Sequence, residues 1–210
     1  MIPLVINLQP NRKLLFGSSA AEADLAQLIK MIQGASRPET LVNFDFSEVE
    51  AVNGSYLRAT LFWAIRCGQA DARNELPVTG GEPVPIRPYP LFPVVSGCNP
   101  EVATEISEFI VPRKVATLLV ESGTLPAIGK ARIVGHIDKS LGDTLSLLAA
   151  IRGGTAKDLA NASSEAITVN AWSNRLLDLY QLRIVHRERS GKFWIYRPLA
   201  KEHDVWASTL

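Results

Sequence analysis

Apolar and polar positions alternate with two periods along the chain. Between 169 and 179, Val169, Trp172, Leu176 and Leu179 stand three, four and three residues apart. That spacing puts all four on one face of a helix and predicts a buried stripe. On the same wheel Asn170 and Asn174 point the opposite way. Upstream, Leu145, Leu148 and Ala149 mark the inner face of a helix over 141–151. Gly153-Gly154 stops it, and Thr155 caps the helix that follows. Downstream the period falls to two. Residues 183–188 and 193–197 are rich in β-branched and aromatic side chains, and Ser190-Gly191 suits a tight turn. The pair predicts a hairpin.

The first half reads as alternating strands and helices. Strands are predicted over 3–8 and 13–16. A helix capped by Ser18 or Ser19 follows, with Leu25, Leu28, Ile29 and Ile32 inward, ending near Gly34. The run 40–46 is a buried strand. Asn53 or Ser55 then caps a helix whose inward positions are Leu57, Leu61, Ala64 and Ile65. The segment 70–90 holds Pro77, Pro83, Pro85, Pro88 and Pro90 with Gly80-Gly81, which favours a long extended loop suited to a partner or a plain insertion. A strand over 91–96, a helix opened by Pro100 and a last strand over 115–120 complete this half.

The expected fold class is therefore α/β (α+β): an α/β sandwich over 1–122, a linker over 123–135 and a second domain over 136–210. Each half has its own apolar helices and strands, so each is expected to fold alone. The linker contains Gly123 to Ala131, superficially a phosphate loop. Five residues separate its glycines where four are needed, and Ala131 follows Lys130 where magnesium binding needs Ser or Thr. That reading is rejected.

Helices followed by a hairpin, in this order, are the layout of a winged helix-turn-helix. Asparagine carries both donor and acceptor, as bidentate pairing with adenine requires. The candidate DNA contacts are Thr168, Asn170, Ser173, Asn174 and Arg175 on the helix. On the hairpin they are Arg187, Arg189, Ser190 and Lys192, expected near its tip and facing phosphates. Asp178, one helical turn further on, opposes deep insertion. From Ile167 to Leu199 the chain resembles the recognition helix and wing of ArsR/MarR-type bacterial regulators. The resemblance rests on the polar run before Leu176 and Leu179, the apolar pair Ile184-Val185, the basic turn with Gly191 and the aromatic strand ending Tyr196-Arg197. That family has Gly where this chain has Arg183, so Arg183 either takes a positive φ or the turn differs. The metal-binding cysteines of the metalloregulator branch are missing.

Residues 44–49, a short polar link and Ser55-Tyr56-Leu57 at a helix start resemble a STAS-like domain, the fold of anti-sigma factor antagonists. In its phospho-regulated members an Asp-Ser-Ser-Gly run carries the phosphate. Here Asn53-Gly54-Ser55-Tyr56 puts Gly54 at the acceptor position. What the resemblance implies is the fold and docking on partner proteins.

Composition changes this picture little. The 210 residues carry net charge +1, with 47% hydrophobic and 20% charged positions, an ordinary globular balance. Residues 136–210 hold ten basic against eight acidic residues, leaving twelve against thirteen before them. Binding to DNA must then rest on a local basic wing, doubled in a homodimer. Cys67 and Cys98 fit buried thiols of a reducing cytoplasm. His136, His186 and His203 lack metal-ligand spacing, and no catalytic constellation or cofactor site is visible. No apolar run is long enough for a membrane span. The leading expectation is a non-enzymatic, cytoplasmic DNA-binding regulator of transcription, acting on double-stranded DNA, whose first half and 70–90 loop bind a protein. The alternative is an adaptor or assembly subunit in which both halves bind proteins.

Overall fold

The computed structural model describes residues 4–34, 39–69 and 91–205. The expected 70–90 loop lies outside these residues. The chain is a mixed α/β protein built on a six-stranded, mostly parallel sheet. Its strands are β1 (Leu4–Leu8), β3 (Thr40–Asp45), β5 (Leu91–Ser96), β6 (Ala116–Thr124), β7 (Ala127–Gly135) and β10 (Ala200–Val205), side by side in that order. The first four run parallel, β7 is antiparallel to β6, and β10 is parallel to β7. A small second sheet pairs β2 (Leu14–Leu15) with β4 (Ala51–Val52).

One face of the main sheet is covered by α1 (Ser18–Gly34), α2 (Gly54–Ala59), α3 (Leu61–Gln69) and α4 (Pro100–Ile110). Leu25, Leu28 and Ile32 of α1 are buried, as their spacing predicts. The expected helix from 55 is two helices that meet at Thr60, although Leu57, Leu61, Ala64 and Ile65 all point inward. Its cap is Asn53, which accepts from Tyr56 N at 3.1 Å, and Ser55 is exposed. Asn99 caps α4 in the same way, with Pro100 at its first position.

The other face is covered by the second half of the chain: α5 (Lys139–Ala150), α6 (Ala156–Ala162), α7 (Val169–Gln181) and the hairpin β8 (Val185–Ser190) to β9 (Phe193–Pro198). Leu41, Val94, Leu118 and Ile133 of the sheet pack in one cluster with Leu145, Leu148, Trp172, Leu176 and Leu179 of these helices. Two expectations are corrected here. Residues 123–135 are not a linker but the end of β6, a tight turn and β7, which is bonded to β6 on one side and β10 on the other. The half 1–122 builds a first core under α1–α4, but 136–210 has no core of its own, because its helices share a second one with Leu41, Val94, Ala116 and Leu118 of the sheet. β10, which no pattern flagged, then forms an edge strand. Its Lys201, Glu202 and Asp204 are exposed, a charged edge that discourages pairing with another chain.

Among the described residues no helix is long and apolar enough to cross a membrane.

A polar group sits inside the first core. Asp24, 8% exposed, accepts from the Tyr56 hydroxyl at 2.7 Å and pairs with the Arg12 guanidinium. Burial and the neighbouring carboxylate push the Tyr56 phenol up, so it stays a donor. Tyr56→Phe removes a buried bond to a charged group and is expected to cost about 1.5–3 kcal/mol. Urea unfolding monitored by circular dichroism checks this, and an unchanged midpoint would show that Arg12 alone satisfies Asp24.

Candidate nucleic-acid interface

Helix α7 is set by its cap and its stripe. Thr168 accepts from Ala171 N at 3.2 Å, so its hydroxyl closes the helix start while the residue itself remains exposed. Trp172, Leu176 and Leu179 are buried, but Val169 is 46% exposed, contrary to expectation. It is the first residue of the helix, one turn before Trp172, and does not join the buried cluster. The outward side carries Asn170, Ser173 and Asn174, all exposed as predicted, with Leu177, Asp178 and Gln181 continuing it. Arg175, a candidate contact, is committed elsewhere. It pairs with Glu165 at 3.1 Å and lies over the Trp172 ring, 5.2 Å from its centroid. The single cation of α7 is thereby neutralised, and the outward side offers amides, a hydroxyl and one carboxylate.

The hairpin that follows begins with a strained residue. Arg183 takes φ 61°, the left-handed conformation that a glycine would fill more easily. Its guanidinium compensates by packing over the Tyr180 ring at 4.5 Å and the Phe92 ring at 5.5 Å. Its Nη1 also donates to the Tyr180 carbonyl at 3.3 Å. The next cation repeats the pattern. Arg187 lies 4.2 Å from the Tyr180 ring and 4.2 Å from the Trp194 ring. Placing Arg187 near the tip is thus corrected: it stands opposite Tyr196 in the body of the hairpin, half-buried between Tyr180 of α7 and Trp194 of β9. Arg189, opposite Trp194, lies 5.8 Å from that ring and donates from Nε to Gly191 O at 3.1 Å. Rings and guanidinia therefore alternate from the sheet outward: Phe92, Arg183, Tyr180, Arg187, Trp194, Arg189.

The turn is Gly191-Lys192, closed by the pair Ser190 and Phe193, with Gly191 at φ 59°. A positive φ at this point is what a two-residue hairpin turn requires. Ser190 and Lys192 are exposed at the tip, as expected, and the Lys192 ammonium is 5.4 Å from the Phe193 ring. Among the described residues Arg187, Arg189 and Lys192 pair with no carboxylate. The opposite side of the hairpin is neutralised instead, because Arg197 bonds Glu188 at 2.7 Å and holds that carboxyl below its usual range. Glu39, at the start of β3, has its carboxyl raised by burial, partly offset by Arg183 and Arg187. Burial lowers His186 and His203, which favours their neutral forms.

Sequence reasoning missed Phe193 and Trp194, 55% and 41% exposed. Their alternation with arginines and a lysine in 187–194 was the available signal. Elsewhere, a cleft of about 330 Å³ lies where Lys114, His136, Asp138, Asp178 and Gln181 meet. Asp138 is occupied as the α5 cap, bonded to Leu141 N and the Ser140 hydroxyl, which hold its carboxyl low. Among the described residues no cluster of His, Cys, Asp or Glu could hold a metal ion. Burial pushes the Cys67 and Cys98 thiols up to about 12, which leaves them protonated and unreactive.

Compared with protein-family models, with curated proteins and with solved structures, the chain matches none.

Proposed function

We propose that this protein binds double-stranded DNA through a winged helix-turn-helix formed by α5, α6, α7 and the β8–β9 hairpin, and that it acts as a regulator of transcription without catalysis. The observation that carries this reading is the hairpin, whose Arg187, Arg189 and Lys192 lie against aromatic rings and make no ion pair with a carboxylate among the described residues. Cations held against rings keep their charge and their orientation, which suits contact with phosphate. Thr168, Asn170, Ser173 and Asn174 supply groups for base edges, Ser190 a hydroxyl for the backbone, and Arg175 a reserve charge reached by releasing Glu165. With so few cations per chain, a homodimer gives the footprint that a specific site needs. The first half is read as STAS-like in outline, with helices α2 and α3 as the surface for a protein partner.

The test is salt dependence. Binding of the full chain to a short duplex should weaken as salt rises. Replacing Arg189 and Lys192 by Ala should reduce the slope of log affinity against log salt by about 0.9 for each phosphate no longer neutralised. Fluorescence anisotropy at several salt concentrations reads this, and an unchanged slope takes the wing out of the interface.

A second reading, a protein-binding adaptor, is favoured by the outward side of α7. Leu177 is exposed there beside Asp178, and Arg175 is tied to Glu165. Failure to bind any duplex at low salt would move the protein to this class.

A further inference from the structure

The two rings at the outer end of the hairpin are more than a phosphate-contacting wing needs. Phosphate is met by Arg189 and Lys192 alone, and exposed aromatic surface is unfavourable in water. Phe193 is 55% exposed and Trp194 41%, on adjacent residues, so their side chains project to opposite sides of the β-ribbon. Each has a cation against it: Arg187 and Arg189 over Trp194, Lys192 beside Phe193. A flat apolar protein surface would match the rings but not the cations. An unpaired nucleotide matches both, because its base stacks on a ring while its phosphate meets the neighbouring positive charge. Trp194 is fixed from below by Arg187, which is itself held against Tyr180 of α7. That side of the ribbon is thus already occupied, and Phe193 on the other side, with only Lys192 against it among the described residues, is the ring left open to a base.

We infer that the wing tip is a stacking platform for unpaired bases, with Phe193 as the stacking ring, Lys192 beside it and Arg189 across the ribbon as the phosphate contacts. The preferred ligand is then a junction between duplex and single strand. This rests on the DNA-binding reading above and narrows it: α7 lies on the paired part and the hairpin meets the strand that leaves it.

The experiment compares three labelled probes in anisotropy titrations of the full chain: a blunt duplex, the same duplex with a single-stranded tail, and the tail alone. The tailed duplex should bind about tenfold or more tightly than the blunt one. Phe193→Ala should abolish that preference and leave blunt-duplex affinity within about twofold, while Phe193→Trp should keep it. Because Phe193 is exposed, the Ala variant should fold normally, and circular dichroism verifies this. Equal binding of blunt and tailed duplex by the wild type overturns the inference and leaves the rings to a protein partner. A tail preference that survives Phe193→Ala overturns it too. Absence of binding to all three probes overturns the DNA-binding reading as well, so the two failures are distinct.

Discussion

The fragment 1–122, expressed alone, is expected not to form a stable fold. It keeps the helices of the first core but loses everything that covers the second face of the sheet. Leu41, Val94 and Leu118 are each 0–1% exposed in the full chain and pack with the later helices and β7 in one cluster. Exposing three such side chains costs about 4.5–9 kcal/mol, at about 1.5–3 kcal/mol each. A domain is typically stable by only about 5–15 kcal/mol in all. The cut also removes β7, leaving β6 as an unpaired edge with apolar residues on both sides, a template for aggregation. The complementary fragment 136–210 fares no better, since Leu145, Trp172 and Leu179 are left without the sheet beneath them. Thermal unfolding by circular dichroism checks both pieces against the intact protein. A cooperative transition in fragment 1–122 near that of the full chain would show that the two faces fold independently after all.

Trp172→Ala is the point substitution with the largest expected effect. The indole is 1% exposed and among the largest fully buried side chains. Truncating a buried tryptophan costs about 3–5 kcal/mol, through the packing it forfeits and the cavity left behind. Arg175 is also deprived of the ring it packs on. Trp172→Phe should cost less. It keeps much of the volume and removes an indole N–H that has no acceptor among the described residues. Asn174→Ala, on the opposite side of α7, should change stability by less than about 0.5 kcal/mol. If Asn174 reads a base, the same change relaxes sequence preference at one position by about 1–3 kcal/mol. Urea midpoints separate the variants, and equal stability of Trp172→Ala and wild type would mean the helix is rotated from its observed setting.

Much of this was legible in the residues. The Trp172, Leu176 and Leu179 stripe of α7, the Thr155 cap, the Pro100 helix start and the glycine turn of the hairpin are local signals, and local chemistry decides them. The union of the two halves was written less plainly. In 40–46 apolar side chains occupy both parities: Leu41 enters one cluster, Val42 and Phe44 the other. Ala116 and Leu118 part from Leu119 in the same way. Strands that are apolar on both sides need two covering layers, and the first half supplies only one. The glycines of 123–135 obscured this by suggesting a flexible connection. Gly135 is instead required by close approach: at φ 120° an added Cβ would sit 2.1 Å from Val115 O. The ladder of rings and guanidinia was not legible, because Phe92, Tyr180 and Trp194 come from three elements that only the tertiary fold brings together. Arg175 was misjudged for a related reason, since Glu165 approaches it from the loop before the helix.

The return of β10 to lie parallel beside β7 recasts the relation of the two halves. Parallel neighbours in a sheet are joined by a crossover, usually one helix. Here the crossover is the whole of 136–199, three helices and a hairpin. The C-terminal module is therefore not appended to the sheet but inserted within it, with both of its ends anchored in adjacent strands. A tether at two points restrains rotation, so the hairpin and α7 are held at a set angle to the sheet. The same topology makes the module replaceable in principle. The crossover must span roughly one strand length, about 20 Å for six residues, which a single helix of about 13 residues covers.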